Sequence, residues 1–249
     1  MRLVYRGLGA ASALLAAAAV SPARATPVLS LEAFVSGSAV KSALGPTDGS
    51  FVNLTLSNYG ASGSAVAYNA SITATGYDFS NGGVADVSLA AQLSAPKYTS
   101  SQTPLPLTIE LTETGLSGNQ AYQFASAFTA IFVRHANNLT YSAYADATNA
   151  AFGTGTLLYT NSVTGPGSFN LGGSLNTSMS GLFSFTEVFV FTPVASVLNN
   201  AISPTLDGTI SVSAMPEPTG LAAFGAALLG LVLLRMPRAT RRAGQFMGA

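Results

Sequence analysis

Residues Leu105 to Thr112 read LPLTIELT, and their alternation sets the architecture. Leu105, Leu107, Ile109 and Leu111 fall on one side of an extended chain. Thr108, Glu110 and Thr112 fall on the other. A two-residue period fits a half-buried strand and no helix, because successive side chains of a strand point to opposite faces. The turn-like run Gly115 to Asn119 follows directly, and its glycines and asparagine suit a change of direction.

The same pattern recurs at Val28 to Val35, Ser50 to Ser57, Val66 to Thr75, Val84 to Leu93, Gln123 to Arg134, Leu139 to Ala145 and Gly181 to Thr192, and Ile210 alternates with Val212. Gly45, Pro46, Asp48 and Gly49 punctuate these runs, as do Asn81, Gly82 and Gly83, and then Gly165, Pro166 and Gly167. No stretch of the body carries a sustained helical period. Many strands at short spacing without crossover helices predict an all-β fold, a single antiparallel β-sandwich or jelly roll. Within it, FSFTEVFVF (Phe183 to Phe191) reads as a central strand. Phe183, Phe185, Phe189 and Phe191 share their parity with Glu187, so either a bulge interrupts the strand or Glu187 is a buried carboxylate.

The ends differ from the body. Arg2 and Arg6 precede a small, apolar run from Leu8 to Val20, and Ala23, Arg24 and Ala25 form an A-x-A-like cleavage site. This is the pattern of a secretory signal peptide over residues 1–25, with Thr26 as the first mature residue. A run of 13 residues falls short of the roughly 20 that a permanent span requires. At the other end, residues 215–249 place Pro216, Glu217 and Pro218 before an apolar stretch at 220–234, then a basic tail at 235–249 with Arg235, Arg238, Arg241 and Arg242. The stretch makes about 22 Å of helix against a hydrocarbon core of about 30 Å. The arginines hold the cytoplasmic side, which leaves residues 26–214 outside. The expected architecture is thus one β-sandwich ectodomain flanked by an N-terminal signal helix and a short C-terminal hydrophobic helix.

That ordered triad of elements resembles the PEP-CTERM sorting signal. The resemblance implies that an exosortase of the inner membrane recognises Pro216, Glu217 and Pro218, cuts near them, and releases or attaches the body at the cell surface or in the extracellular matrix. Independently of the name, two prolines forbid helix and keep the peptide extended, as a protease substrate must be. A plain C-terminal anchor, with Pro-Glu-Pro as a helix boundary, is the alternative. LTIELTETGLSG (Leu107 to Gly118) and SAYADATNAAFGTGTLL (Ser142 to Leu158) are similar to segments of β-rich ectodomains that precede such tails. The implied partners are the export translocon, signal peptidase and the exosortase, with exopolysaccharide around the mature protein.

Charge supports that setting. Only 8% of residues are charged, against about 25% in ordinary soluble proteins. Between residues 26 and 214 the cations are Lys41, Lys97 and Arg134 against nine acids, a net charge of minus six. Such a body does not suit nucleic acid or an anionic membrane surface, both of which attract basic patches. There is no cysteine, which removes disulfides and thiolate chemistry.

Candidate chemistry is sparse, and no cofactor is expected. His135 is the single histidine, beside Arg134 at a strand end. No G-x-S-x-G elbow accompanies it, and a zinc site of the usual nitrogen and sulfur type needs more ligands. For calcium, which takes clustered oxygens, the weak candidates are Asp78, Asn81 and Asp86 around the Gly82–Gly83 turn, and Asp146 with Asn149. Glu110 and Glu113 differ in parity and belong to opposite faces unless the strand ends between them, whereas a glycosidase needs two carboxylates in one cleft. Tyr59, Tyr68, Tyr77, Tyr98, Tyr122, Tyr141, Tyr144 and Tyr159 could stack on sugars if a strip of them were exposed. Thr73 with Thr75, Thr112 with Thr114 and Thr154 with Thr156 lack the repeat of a regular threonine array. Asn53, Asn69, Asn138 and Asn176 sit in N-x-[ST] sequons, which a Ser- and Thr-rich chain acquires by chance. The expected role is non-catalytic: structural or adhesive, or alternatively a carbohydrate- or calcium-binding module that the tail tethers to the membrane.

Overall fold

A computed structural model describes residues 26–35, 40–45, 51–60, 68–76, 85–94, 105–132, 138–193, 205–215 and 224–229. Ten strands follow in order: β1 (Val28–Val35), β2 (Lys41–Leu44), β3 (Phe51–Tyr59), β4 (Tyr68–Thr75), β5 (Ala85–Ser94), β6 (Leu107–Phe132), β7 (Asn138–Asp146), β8 (Thr156–Thr164), β9 (Gly167–Thr192) and β10 (Thr205–Ala214). All pairings are antiparallel, in the order β3-β4-β5-β10-β6-β9-β7-β8, with β1 on β6 and β2 on β1. Antiparallel β structure is what the alternation called for.

The strands β6 and β9 each span 26 residues and pair along their length. Each takes part in two layers. The first half of β6, Leu107 to Thr114, lies between β1 and the second half of β9, which continues to β7 and β8. The second half, Tyr122 to Ile131, lies between β10 and the first half of β9, and β10 continues to β5, β4 and β3. The layers face each other. Phe124 meets Phe185 edge-on at 5.4 Å between ring centroids, Phe128 stacks on Tyr141 at 5.2 Å, and Tyr68 of β4 meets Phe191 at 6.4 Å. Each of these rings is fully buried, a gain of about 1.5–3 kcal/mol for a large apolar side chain. Tyr59 and Tyr68 also latch the layers, donating their hydroxyls to Ala33 O (3.2 Å) and Leu105 O (2.6 Å).

The segment Gly115 to Asn119, expected as a turn, instead continues β6. The register shifts between Glu113 and Leu116, and Gly115 takes φ 79°, so a β-bulge bends the strand without reversing it. A Cβ on Gly115 would lie 2.7 Å from Thr26 O, which leaves room for glycine only. The run expected at Gln123 to Arg134 is the second half of this strand, described as far as Phe132. The run from Gly181 is the second half of β9. Among the hairpin signals, Gly165 and Pro166 join β8 to β9 as expected, while Pro46 to Gly49 and Asn81 to Gly83 lie outside the described residues.

Residues 1–25, Pro216 to Pro218 and Arg235 to Arg242 also lie outside them. Within the expected apolar helix, residues 224–229 are helical, with Phe224, Leu228 and Leu229 exposed. Among the described residues no helix is long and apolar enough to cross a membrane.

At Gly208 of β10 the layers pack closely: a Cβ there would lie 2.4 Å from the Phe189 ring and 3.1 Å from that of Tyr141. Overpacking of this kind costs about 1–3 kcal/mol. Gly208→Ala is expected to lower stability by that amount in urea unfolding, and an unchanged midpoint would contradict the interlocking.

Candidate functional site

The inner face of the first layer carries three cross-strand rows. Ile109, Phe189 and Tyr141 form one; Leu111, Glu187 and Ala143 the next; Glu113, Phe185 and Ala145 the third. Glu187 therefore stands in the core with its phenylalanine neighbours, fully buried. The ladder from Leu107–Phe191 to Glu113–Phe185 has no break, so of the two options left by the sequence, the buried carboxylate holds.

Tyr141 donates its hydroxyl to Glu187 Oε1 at 3.0 Å. Glu187 Oε2 is buried with no hydrogen-bond partner. Removal from water pushes the Glu187 carboxyl up from 4.5 to about 8; the Tyr141 hydrogen bond opposes the rise, and the charge of Asp207 adds to it. A carboxyl so placed is mostly neutral at pH 7. Burial, and then the Glu187 charge, also drive the Tyr141 phenol well above its usual value. Ser126, buried on the facing strand, closes no hydrogen bond of good geometry, yet its proximity to the Tyr141 hydroxyl partly offsets that rise.

Glu113 and Glu187 are diagonal neighbours on one face, since Leu111 pairs with Glu187 and Glu113 with Phe185. Sheet geometry sets such diagonals roughly 7–8 Å apart. The sequence had paired no two carboxylates, because these lie 74 residues apart in the chain. Both are fully buried, so no substrate reaches them in this structure. Glu110 lies on the opposite, outer face, as its parity required, directly across from Glu32. Partial burial, and then the Glu32 charge, raise its carboxyl.

Asp78, Asn81 and His135 lie outside the described residues; Asp86 is on β5, but its side chain is not among those described. Asp146 and Asn149 do share a loop. Asp146 Oδ1 accepts the Thr148 amide (2.7 Å) and hydroxyl (2.6 Å), which hold its carboxyl below the usual range, and Asn149 Oδ1 accepts the Gly115 amide at 2.7 Å. The Asp146 oxygen closes the loop on itself, and the Asn149 oxygen ties it to the β6 bulge. No group of three acidic, His or Cys residues that could hold a metal ion occurs among the described residues. Tyr59, Tyr68, Tyr122 and Tyr141 are buried, and Tyr144 and Tyr159 half-buried, so the described tyrosines form no exposed strip. Tyr77 and Tyr98 are not described.

The sequence did not reveal the outer face of the second layer. Asn53, Thr73, Ala90, Asp207, Thr129 and Asn170 stand side by side across six strands. Thr75, Ser88 and Thr209 form a parallel row, and Thr55, Ser71, Gln92 and Thr205 another. Strands lie about 4.8 Å apart, so this face is rich in hydroxyls and amides, with Asp207 as the charged member of these rows and the exposed side chains of Phe51 and Ile131 beside Thr75 and Thr205.

No family model matches the chain, and no characterised relative matches it. Among solved structures it is similar to the carbohydrate-binding module TmCBM61 in complex with β-1,4-galactotriose, at 11% identity and TM-score 0.32, covering 58% of this chain and 88% of that one. It is also similar to the enzymatically active domain of bacteriophage CBA120 tailspike protein 4 (12% identity, TM-score 0.27, 61% of this chain and 20% of that one). A third is the arabinose-bound α-L-arabinofuranosidase MgGH51 (14%, 0.26, 59% and 23%).

Tyr141→Phe removes the hydroxyl that reaches Glu187 and leaves a buried acceptor unpaired, a cost of about 1–3 kcal/mol. The expected result at neutral pH is a lower urea midpoint of that size, against a shift within about 0.5 kcal/mol for Tyr144→Phe on the outer face. Equal effects would show that the hydroxyl contributes nothing.

Proposed function

We propose that this chain is an exported cell-surface or matrix protein, sorted by a PEP-CTERM and exosortase system, whose β domain has a non-catalytic, structural or adhesive role in exopolysaccharide. The observation that carries the non-catalytic part is the disposition of its chemistry. The carboxylates that share a face, Glu113 and Glu187, are sealed in the core, and four tyrosines are spent there too. The outer face of the second layer carries hydroxyls and amides with one acid, Asp207, in the rows described above, beside the exposed Phe51 and Ile131. Such a surface exchanges hydrogen bonds with a hydrated sugar polymer without the desolvation that buried charges demand.

The sorting part rests on the order of the terminal segments. Met215 still donates its amide to Ala121 O at 3.0 Å, so the sheet extends to the residue before Pro216. The helical residues 224–229 expose Phe224, Leu228 and Leu229, apolar side chains suited to a lipid or protein partner.

Intact-mass spectrometry of the protein from its native host tests the sorting. The wild type is expected to begin at Thr26 and to lose its tail near residues 215–219, while a Pro216→Ala, Pro218→Ala variant keeps it. A wild type that retains residues 220–249 would sink the sorting reading and leave a membrane-tethered β domain.

The hydroxyl-rich face favours one second reading, a carbohydrate-binding module. Thr73→Arg with Thr129→Arg places two long cations on that face. Retention on a neutral polysaccharide is expected to fall about tenfold, the worth of one or two hydrogen bonds. Retention that is absent in the wild type, or unchanged in the variant, would refute binding through this face.

A further inference from the structure

Glu187 occupies the seam between the two layers, and what faces it there is lopsided. On β7, Tyr141 reaches one oxygen at 3.0 Å, and behind it Tyr159 of β8 stands 6.0 Å away between ring centroids. On β6, Glu113 shares its face and Ser126 looks across from the other layer. On β10, Gly208 lets the Tyr141 and Phe189 rings close in, and Asp207 beside it adds negative charge. Among the described residues the one Lys or Arg is Lys41, on the edge strand β2. The acid thus has a single hydrogen bond for its two oxygens, no described cation beside it, and the charge of Asp207 acting from the outer face of β10.

We propose that Glu187 is a pH-responsive lock between the layers: the folded domain holds it as the neutral acid, and its deprotonation weakens the contact of β7 and β9 with β6 and β10. As a neutral acid, Glu187 still accepts the Tyr141 hydroxyl on Oε1 and brings no charge of its own into the core. As a carboxylate, it keeps a bare buried charge that only Tyr141 relieves, which the low-dielectric interior makes costly.

The sign follows from linkage. The folded group titrates near 8, above its ordinary 4.5, so between those values the unfolded chain binds fewer protons than the folded one. Stability is then greatest below about pH 4.5, falls through the window from 4.5 to 8, and levels off above it. Within that window the folding constant drops by up to about tenfold per pH unit. The domain tightens in acid and loosens in mild alkali. Glu110 and Asp207 are also raised, mainly by burial, and contribute in the same direction, while the lowered Asp146 carboxyl contributes in the opposite one, so the test must isolate Glu187.

Urea unfolding of the full-length chain from about pH 5 to about pH 9, wild type beside Glu187→Gln, makes that separation. The glutamine keeps an acceptor for Tyr141 and does not titrate. The wild-type folding constant is expected to fall at least about a hundredfold more than that of the variant, two pH units' worth of the linkage slope. Parallel profiles would overturn the proposal. If Glu187→Gln does not fold, infrared spectroscopy of the wild type decides. A protonated-carboxyl band that persists at neutral pH, disappears in alkali and survives Glu113→Gln supports the lock. Absence of the band at neutral pH, or its loss in Glu113→Gln, overturns it.

Discussion

Both layers are cut from the same two strands, and that sharing constrains everything else in the molecule. Because β6 and β9 each cross from one layer to the other, their register is fixed twice, once against β1 and β7 and once against β10. A slip of one residue would turn the inner faces of both layers toward water, since strand side chains alternate strictly. The bulge at Glu113–Leu116 lets one ladder serve both directions. Gly115 makes the bulge possible through its positive φ and its close approach to Thr26, and Asn149 secures it by accepting the Gly115 amide.

Strand positions were largely legible because alternation is a local signal. Val28 to Val35 is β1 to the residue, and LPLTIELT contains the start of β6. What escaped were pieces whose extended state is imposed from outside. The first half of β9, GSFNLGGSLNTSMS, is rich in glycine, serine and asparagine, which disfavour strands on their own, and its side chains are mostly exposed. It is extended because β6 pairs with it residue by residue. The four-residue β2 carries too short a pattern to read. Gly115 to Asn119 misled for a physical reason: a glycine at positive φ serves a reversing turn and a bulge equally well.

The site was legible in one respect only. Parity in FSFTEVFVF placed Glu187 among four phenylalanines and narrowed its fate to a bulge or a buried acid, and the unbroken ladder decides between them. The surroundings of Glu187 could not have been foreseen, since Tyr141, which donates to it, and Asp207, whose charge reaches it, come from two other strands. The same holds for the hydroxyl-bearing face, where Asn53, Thr73, Thr129 and Asn170 become neighbours only through the strand order. The two findings are linked. A chain with no tryptophan and nine tyrosines draws on its tyrosines to fill a core bounded by two broad layers, and the hydroxyl-bearing residues remain for the surface.

The C-terminal strand ties these parts together. β10 is a central strand, flanked by β5 and β6, and it stays paired until Met215. A load applied beyond residue 215 therefore acts along a strand held by ladders on both sides, so those hydrogen bonds are strained together and not one after another. The same strand carries Gly208, against which Phe189 and Tyr141 close, and Asp207, whose charge reaches Glu187. The point where the tail joins the body is thus continuous, through one rigid element, with the packing around the buried acid. Any weakening of that packing therefore acts on the strand that leads into Pro216.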